Sequence, residues 1–240
     1  LQSVLAFGYI NEAQQLKARH PQETVRIDSL FGASQRAYKR AVDIYPAYGI
    51  AWYNLGMIQY MHDSYQDAIT NFSRATAIDS GYSEAWFTIG LSYQMLANKT
   101  GDTINALQQD STLLAGKKYS GHETKESLNE LIAACNNRMQ RNWEISEENF
   151  IHAIQLAPAN YSIYLHLIQL YLSEGRYDKG IKVDSLALKN RLYSDVIYAT
   201  LGSACLMQKD TVNTVINYAN SLIYSKSNYV ICAFLKKYYY

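Results

Sequence analysis

Two hundred and forty residues suit one or two compact domains, and 48% apolar with 18% charged residues is a folding composition that excludes wholesale disorder. Lys and Arg number 22 against 21 Asp and Glu, so the net charge of +1 provides no broad field to draw in nucleic acid or an anionic membrane. Apolar runs last a few residues, as from Val4 to Phe7, far short of the ~18 that span a bilayer.

The first predicted element is a helix from about Ser3 that breaks at His20 and Pro21, with a second beginning near Thr24; together they form an atypical pair over 1–48. Next, the stretch AWYNLGMIQY from Ala51 to Tyr60 returns 34 residues later as AWFTIGLSYQ from Ala85 to Gln94. That step superposes Trp52 on Trp86, Leu55 on Ile89 and Gly56 on Gly90. Further on it superposes Tyr164 on Tyr198, Leu167 on Leu201 and Ile168 on Gly202.

After each such stretch comes a second amphipathic one with bulky rings at Tyr38, Phe72, Phe150 and Tyr218, followed three residues on by Ala41, Ala75, Ala153 and Ser221. Four residues before each ring is a small side chain, Ser34, Ala68, Ser146 and Thr214, and Ala106 and Gly180 are the small residues read at the same place, ahead of Asp110 and Asp184. Apolar residues at spacings of three and four give one buried stripe per helix, so each unit reads as two antiparallel helices that bury their stripes by stacking on the next unit. Pro46 and Pro158 stop helices where the next unit must turn.

The 34-residue pattern of Trp, Leu-Gly, Tyr, small, aromatic, Ala and Pro, met best from Gly49 to Tyr82, resembles the tetratricopeptide repeat family. The resemblance implies an all-α fold, a right-handed superhelical solenoid of about six antiparallel pairs and a final helix. Units are expected at 49–82, 83–126 with an insertion of roughly ten residues around Gly116–Gly121, 127–160, 161–194 and 195–228, with a packing helix over 229–240. In the unit at 127–160, Glu130 and Asn137 stand where aromatics are expected, although Leu128, Leu131, Ile132, Cys135 and Met139 keep a helical stripe.

By the same resemblance the second, fifth, sixth, ninth, twelfth and thirteenth positions of each unit face a concave groove. In the unit from Gly49 these include Tyr53, Asn54, Met57 and Tyr60, and in the next Glu84, Phe87, Thr88, Leu91 and Gln94. Later units contribute Leu165, His166, Gln169, Thr200 and Ser203. Glu84 and Thr88 stand where a cationic clamp for a terminal carboxylate would need cations. The groove is instead aromatic and amide-rich, suited to an extended peptide or a helix, with Asn54 bonding the backbone and Tyr53, Tyr60 and Phe87 giving buried area. The alternative for Tyr53 and Phe87 is packing against the neighbouring unit. Many of the 22 tyrosines fall at packing positions, where the ring fills a hole and the hydroxyl reaches water.

Chemistry is sparse. Gly116, Lys117 and Lys118 imitate a phosphate loop, but Ser111 replaces its first Gly and Tyr119 its hydroxyl residue. His122, Glu123 and Glu126 do not make a zinc motif, and His20, His62, His152 and His166 have no triad partners in sequence. Cys135, Cys205 and Cys232 are odd in number and widely spaced, as small buried hydrophobes are. No catalytic residue, cofactor or metal is expected. The function expected is a protein-interaction scaffold, with an unidentified protein or peptide partner and neither nucleic acid nor membrane insertion. The alternative, from the start at Leu1 and the Lys236–Tyr240 end, is the repeat tail of a bacterial membrane-embedded glycosyltransferase or O-antigen-ligase-like enzyme with its spans upstream. Asn-X-Ser/Thr sites at Asn71, Asn98 and Asn160 leave either membrane face open.

Overall fold

The structure, a computed structural model, describes residues 2–116, 122–225 and 228–239. The expected insertion at Lys117–Gly121 and Tyr240 lie outside the described residues, as do the side chains of Ser111, His122, Glu123, Glu126 and Tyr239. Among the described residues the chain is all helix: α1 (Gln2–Arg19), α2 (Thr24–Ile44), α3 (Gly49–Met61), α4 (Tyr65–Ile78), α5 (Ser83–Gly116), α6 (His122–Leu156), α7 (Tyr161–Ser173), α8 (Tyr177–Lys189), α9 (Asp195–Met207), α10 (Thr211–Tyr224) and α11 (Tyr229–Tyr239). Two compact units divide it, Leu1–Asn149 and Phe150–Tyr240, with the boundary inside α6.

In the first unit α1 packs on α2, α2 on α3, α3 on α4 and α4 on α5. Its largest apolar cluster gathers Ala6, Ile10 and Ala13 of α1 with Ile27, Phe31, Tyr38 and Val42 of α2 and Leu55 and Ile58 of α3. The small and large positions seen in sequence meet here. A Cβ on Gly56 would stand 2.7 Å from two ring carbons of Phe72, so only glycine lets α3 and α4 approach this closely. Where the small residue is serine, its hydroxyl bonds the facing helix: Ser34 Oγ donates to Ala6 O and Ser146 Oγ to Gly90 O, each at 2.8 Å.

The expectation of two pairs over 83–126 and 127–160 is corrected. One pair of long helices, α5 and α6, occupies that stretch, so the described residues form five pairs and α11 where about six pairs were expected. Residues 83–95 follow the pattern of a first helix and 143–156 that of a second. Between them, Met95–Asp110 and Leu128–Asn142 carry no proline and a single glycine, so nothing stops either helix. This explains Glu130 and Asn137: they lie on the second helix of a long pair, where a first-helix pattern does not apply. Ala106 is exposed for the same reason, and Ser146 is the small residue of the pair.

In the second unit α7 packs on α8, α8 on α9, α9 on α10 and α10 on α11. A Cβ on Gly202 would lie 2.5 Å from Tyr218 Cδ1, repeating the Gly56–Phe72 arrangement. The turns repeat too. Gly175 and Lys209, 34 residues apart, have φ of 71° and 63°, and Asp63 in the first unit has 59°. Each is the left-handed residue of a Schellman stop: Ser64 N donates to Gln59 O, Arg176 N to Tyr171 O and Asp210 N to Cys205 O. In α3, α5 and α7 the aromatic at the fourth repeat position ties the helix to the turn before it. Trp52 Nε1 donates to Pro46 O at 2.8 Å, Trp86 Nε1 to Ser80 O at 3.0 Å and Tyr164 OH to Pro158 O at 3.1 Å. A ring with a polar end is needed there because the ring is covered while its donor satisfies an orphan carbonyl past a helix end.

One pair inverts the rule. At the position of Tyr38, Phe72, Phe150 and Tyr218, α8 has Asp184, and at the position of Gly56 and Gly202, α7 has Ile168. Both are 0% exposed. Isoleucine takes up the volume that the ring fills elsewhere, and the carboxyl occupies what remains, accepting a hydrogen bond from Thr200 Oγ1 at 2.9 Å.

Candidate peptide-binding face

The positions expected to face a groove are unequally exposed on the first helices. On α3 the ring of Tyr53 lies 5.5 Å from that of Phe72 and 4.9 Å from that of Tyr82, and Tyr60 lies 5.3 Å from Tyr65. Met57 joins both in covering the cluster of Ala68, Phe72 and Ile89. Burial, then the charge of Glu84, holds the Tyr53 hydroxyl above its usual pKa. These three side chains are therefore half-buried packing as much as surface. Asn54 differs: it is half-buried, and its amide has no hydrogen-bond partner among the described residues.

On α5, Glu84 is exposed and accepts from Ser83 Oγ at 3.0 Å, while Phe87, Leu91 and Gln94 are half-buried. Thr88 does not belong with them. It is buried, and its hydroxyl donates to Glu84 O and Ala85 O of its own helix, so it is closed to a ligand.

In the second unit, taken by itself, Gln169 is exposed and Leu165 half-buried. His166 stacks on Phe150 at 6.2 Å, and burial lowers its pKa, which favours the neutral ring. The hydroxyls of Thr200 and Ser203 are engaged, the first with Asp184 and the second with Tyr218 OH at 3.1 Å. Of this set Gln169 offers the most accessible polar group.

Asn54 lines a cavity of about 300 Å³ with Ser3, Val4 and Phe7 of α1, Ile50 of α3, Tyr38 and Tyr48. No charged side chain lines it, and Val4, Phe7 and Ile50 are 71%, 58% and 54% exposed. Sequence reading missed Ser3, Val4 and Phe7 because the first pair has no Trp or Leu-Gly mark to set its register. The Ser34–Ala6 bond sets it instead: it matches Ser146–Gly90, which puts Ala6 at the eighth repeat position and Ser3, Val4 and Phe7 at the fifth, sixth and ninth, the positions expected to face a groove. Among the described residues no three His, Cys, Asp or Glu side chains gather as a metal site, and no helix is long and apolar enough to cross a membrane.

Residues 29–83 match the tetratricopeptide repeat family. No curated protein sequence matches the chain. Among solved structures it is similar to MamA, at 17% identity and TM-score 0.58 over 85% of this chain and 94% of that one. It is also similar to MamA from Desulfovibrio magneticus RS-1, residues 41 to the end, at 14% identity and TM-score 0.56 over 93% and 96%. A third likeness is to TTC0263, a thermophilic tetratricopeptide protein of Thermus thermophilus, at 15% identity and TM-score 0.52 over 97% of each chain. At these identities the likeness is one of fold. The match makes residues 29–83 a stretch of tetratricopeptide repeat, and the chain as a whole shares the fold of these solved structures.

Proposed function

We propose that this protein is a non-catalytic scaffold that holds a segment of another protein against the first helices of its first unit. The observation that carries the reading is the uncharged cavity around Asn54. Exposed Val4, Phe7 and Ile50 surround it, so an apolar side chain seated there removes both surfaces from water, and the unpartnered Asn54 amide is placed to bond the backbone of the same segment. The tail reading, with catalysis upstream of Leu1, draws no support from the geometry or the comparisons.

The test is a peptide selected from a random library on the immobilised chain, then titrated calorimetrically. Phe7→Ser and Asn54→Ala should each weaken it about tenfold, the worth of one buried contact or hydrogen bond, with the melting temperature unchanged. Tyr53 is unsuited to this test, because its contacts with Phe72 and Tyr82 make it a residue of stability. Affinities that survive both substitutions would place the binding surface elsewhere.

A further inference from the structure

The second cavity of interest lies where α4 meets the long pair. It measures about 410 Å³ and is lined by Gln66 of α4, Leu96, Lys99, Thr100 and Thr103 of α5, and Cys135, Arg138 and Asn142 of α6. It shares no lining residue with the cavity at Asn54. In a chain of net charge +1 its lining is one-sided, with two cations and no carboxylate. The acid next along the chain, Asp67, lines a different cavity with Asp28 and His62.

The donors are arranged in advance. Lys99 Nζ donates to Asp63 O at 3.2 Å and sits 4.6 Å over the ring of Tyr65, so its long side chain has little freedom left to lose. Arg138 is exposed, and no ion pair or hydrogen bond engages it among the described residues. Asn142 stands four residues on, on the same face of α6. The hydroxyls of Thr100 and Thr103 donate to Leu96 O and Lys99 O, which leaves the Arg138 guanidinium, the two remaining Lys99 N–H groups and the amides of Gln66 and Asn142 as donors. Beneath them Leu96 is half-buried and Cys135 buried, so the cavity has an apolar floor as well as cationic walls.

We propose that this cavity binds an acidic peptide segment, taking a glutamate or aspartate carboxylate between Arg138 and Lys99 and its methylenes on Leu96 and Cys135. Arginine meets a carboxylate with two parallel N–H donors, and the planar fork fixes orientation as well as charge. The apolar floor and the volume favour a side chain over a bare inorganic anion. This is a second binding surface, independent of the reading at Asn54.

Fluorescence anisotropy of the full chain with labelled hexaglutamate tests it, with hexaglutamine and inorganic phosphate as the other probes. Hexaglutamate should bind and hexaglutamine should not. Arg138→Gln should weaken binding about tenfold and the double change with Lys99→Gln should abolish it, while raising salt from about 50 to about 300 mM weakens the wild type. Arg138 is exposed, so its variant should melt as the wild type does, and Asn54→Ala should leave hexaglutamate binding intact. Equal binding of the two peptides, indifference to Arg138→Gln, or binding of phosphate without the peptide would overturn the proposal. Loss with Asn54→Ala as well would assign the peptide to the other surface.

Discussion

In α8 the position that holds a ring in four other pairs holds Asp184, and its environment sets its proton affinity. The side chain is 0% exposed, one oxygen accepts from Thr200 and the other, Oδ2, has no partner. Burial raises its pKa from 3.8 to about 8, with the Thr200 hydrogen bond opposing weakly. The neighbouring Cys205 thiol is pushed up by burial first, then by the charges of Asp210 and Asp184. The folded state thus holds the Asp184 proton more tightly than the unfolded chain does. Its contribution is least unfavourable below about pH 4, worsens as pH rises, and levels off above about pH 8. In that window stability falls by up to about 1.4 kcal/mol per pH unit from this group. Asp184→Asn keeps an acceptor for Thr200 and cannot ionise. Denaturant unfolding at pH 5, 7 and 9 should show the variant gaining on the wild type as pH rises; a difference that stays constant would mean that the carboxyl is solvated.

At the scale of the helix pair, depth of contact in α3–α4 and in α9–α10 is set by one glycine facing one ring. Gly202→Ala would drive a methyl to within 2.5 Å of Tyr218, which must move or force α9 and α10 apart. Overpacking of this kind costs about 1–3 kcal/mol, against the ~1 kcal/mol that alanine gains over glycine as a helix former. A lower denaturation midpoint is therefore expected, with recovery when Tyr218→Leu is added. A midpoint that rises for Gly202→Ala alone would show that the helices have slack. These contacts are also why the pairs were legible in sequence. The 34-residue step between Trp52 and Trp86, the two glycines and the rings are each demanded by geometry and recur along the chain. What resisted reading lacks such a demand. The long α5 and α6 differ from two ordinary pairs by the absence of a break after Met95, and a missing turn leaves no mark in a stretch such as Ala97–Asp102, which contains both Gly and Asp. The inward side chains of α1 escaped for a related reason, since the bond from Ser34 to Ala6 that fixes their register spans 28 residues, whereas Gly56 and Ala68 are 12 apart. The burial of Thr88 is likewise not legible in sequence, because the groove positions are given by resemblance whereas in α5 the neighbouring packing closes over that residue.

At the scale of the molecule, stability in a repeat array is a sum of each pair's own contacts and those with its neighbours, so damage at one place should spread with distance. In the second unit α11 covers α10: Phe234 meets Tyr218 edge-on at 5.1 Å, and Ile231 is buried. Tyr218 is also the ring seated in the Gly202 hole, so Phe234 supports the pair α9–α10 through a shared side chain. Removing it leaves Tyr218 with one wall instead of two. Phe234→Ala should cost about 2–4 kcal/mol, somewhat under the usual loss for a fully buried ring because Phe234 is only half-buried. Hydrogen exchange followed by mass spectrometry should place the lost protection first in α10 and α11, then in α9, with α7 and α8 changing less because they reach Phe234 only through intervening helices. Equal loss across Tyr161–Tyr224 would instead make the second unit a single cooperative block, and the nearest-neighbour description would fail for it.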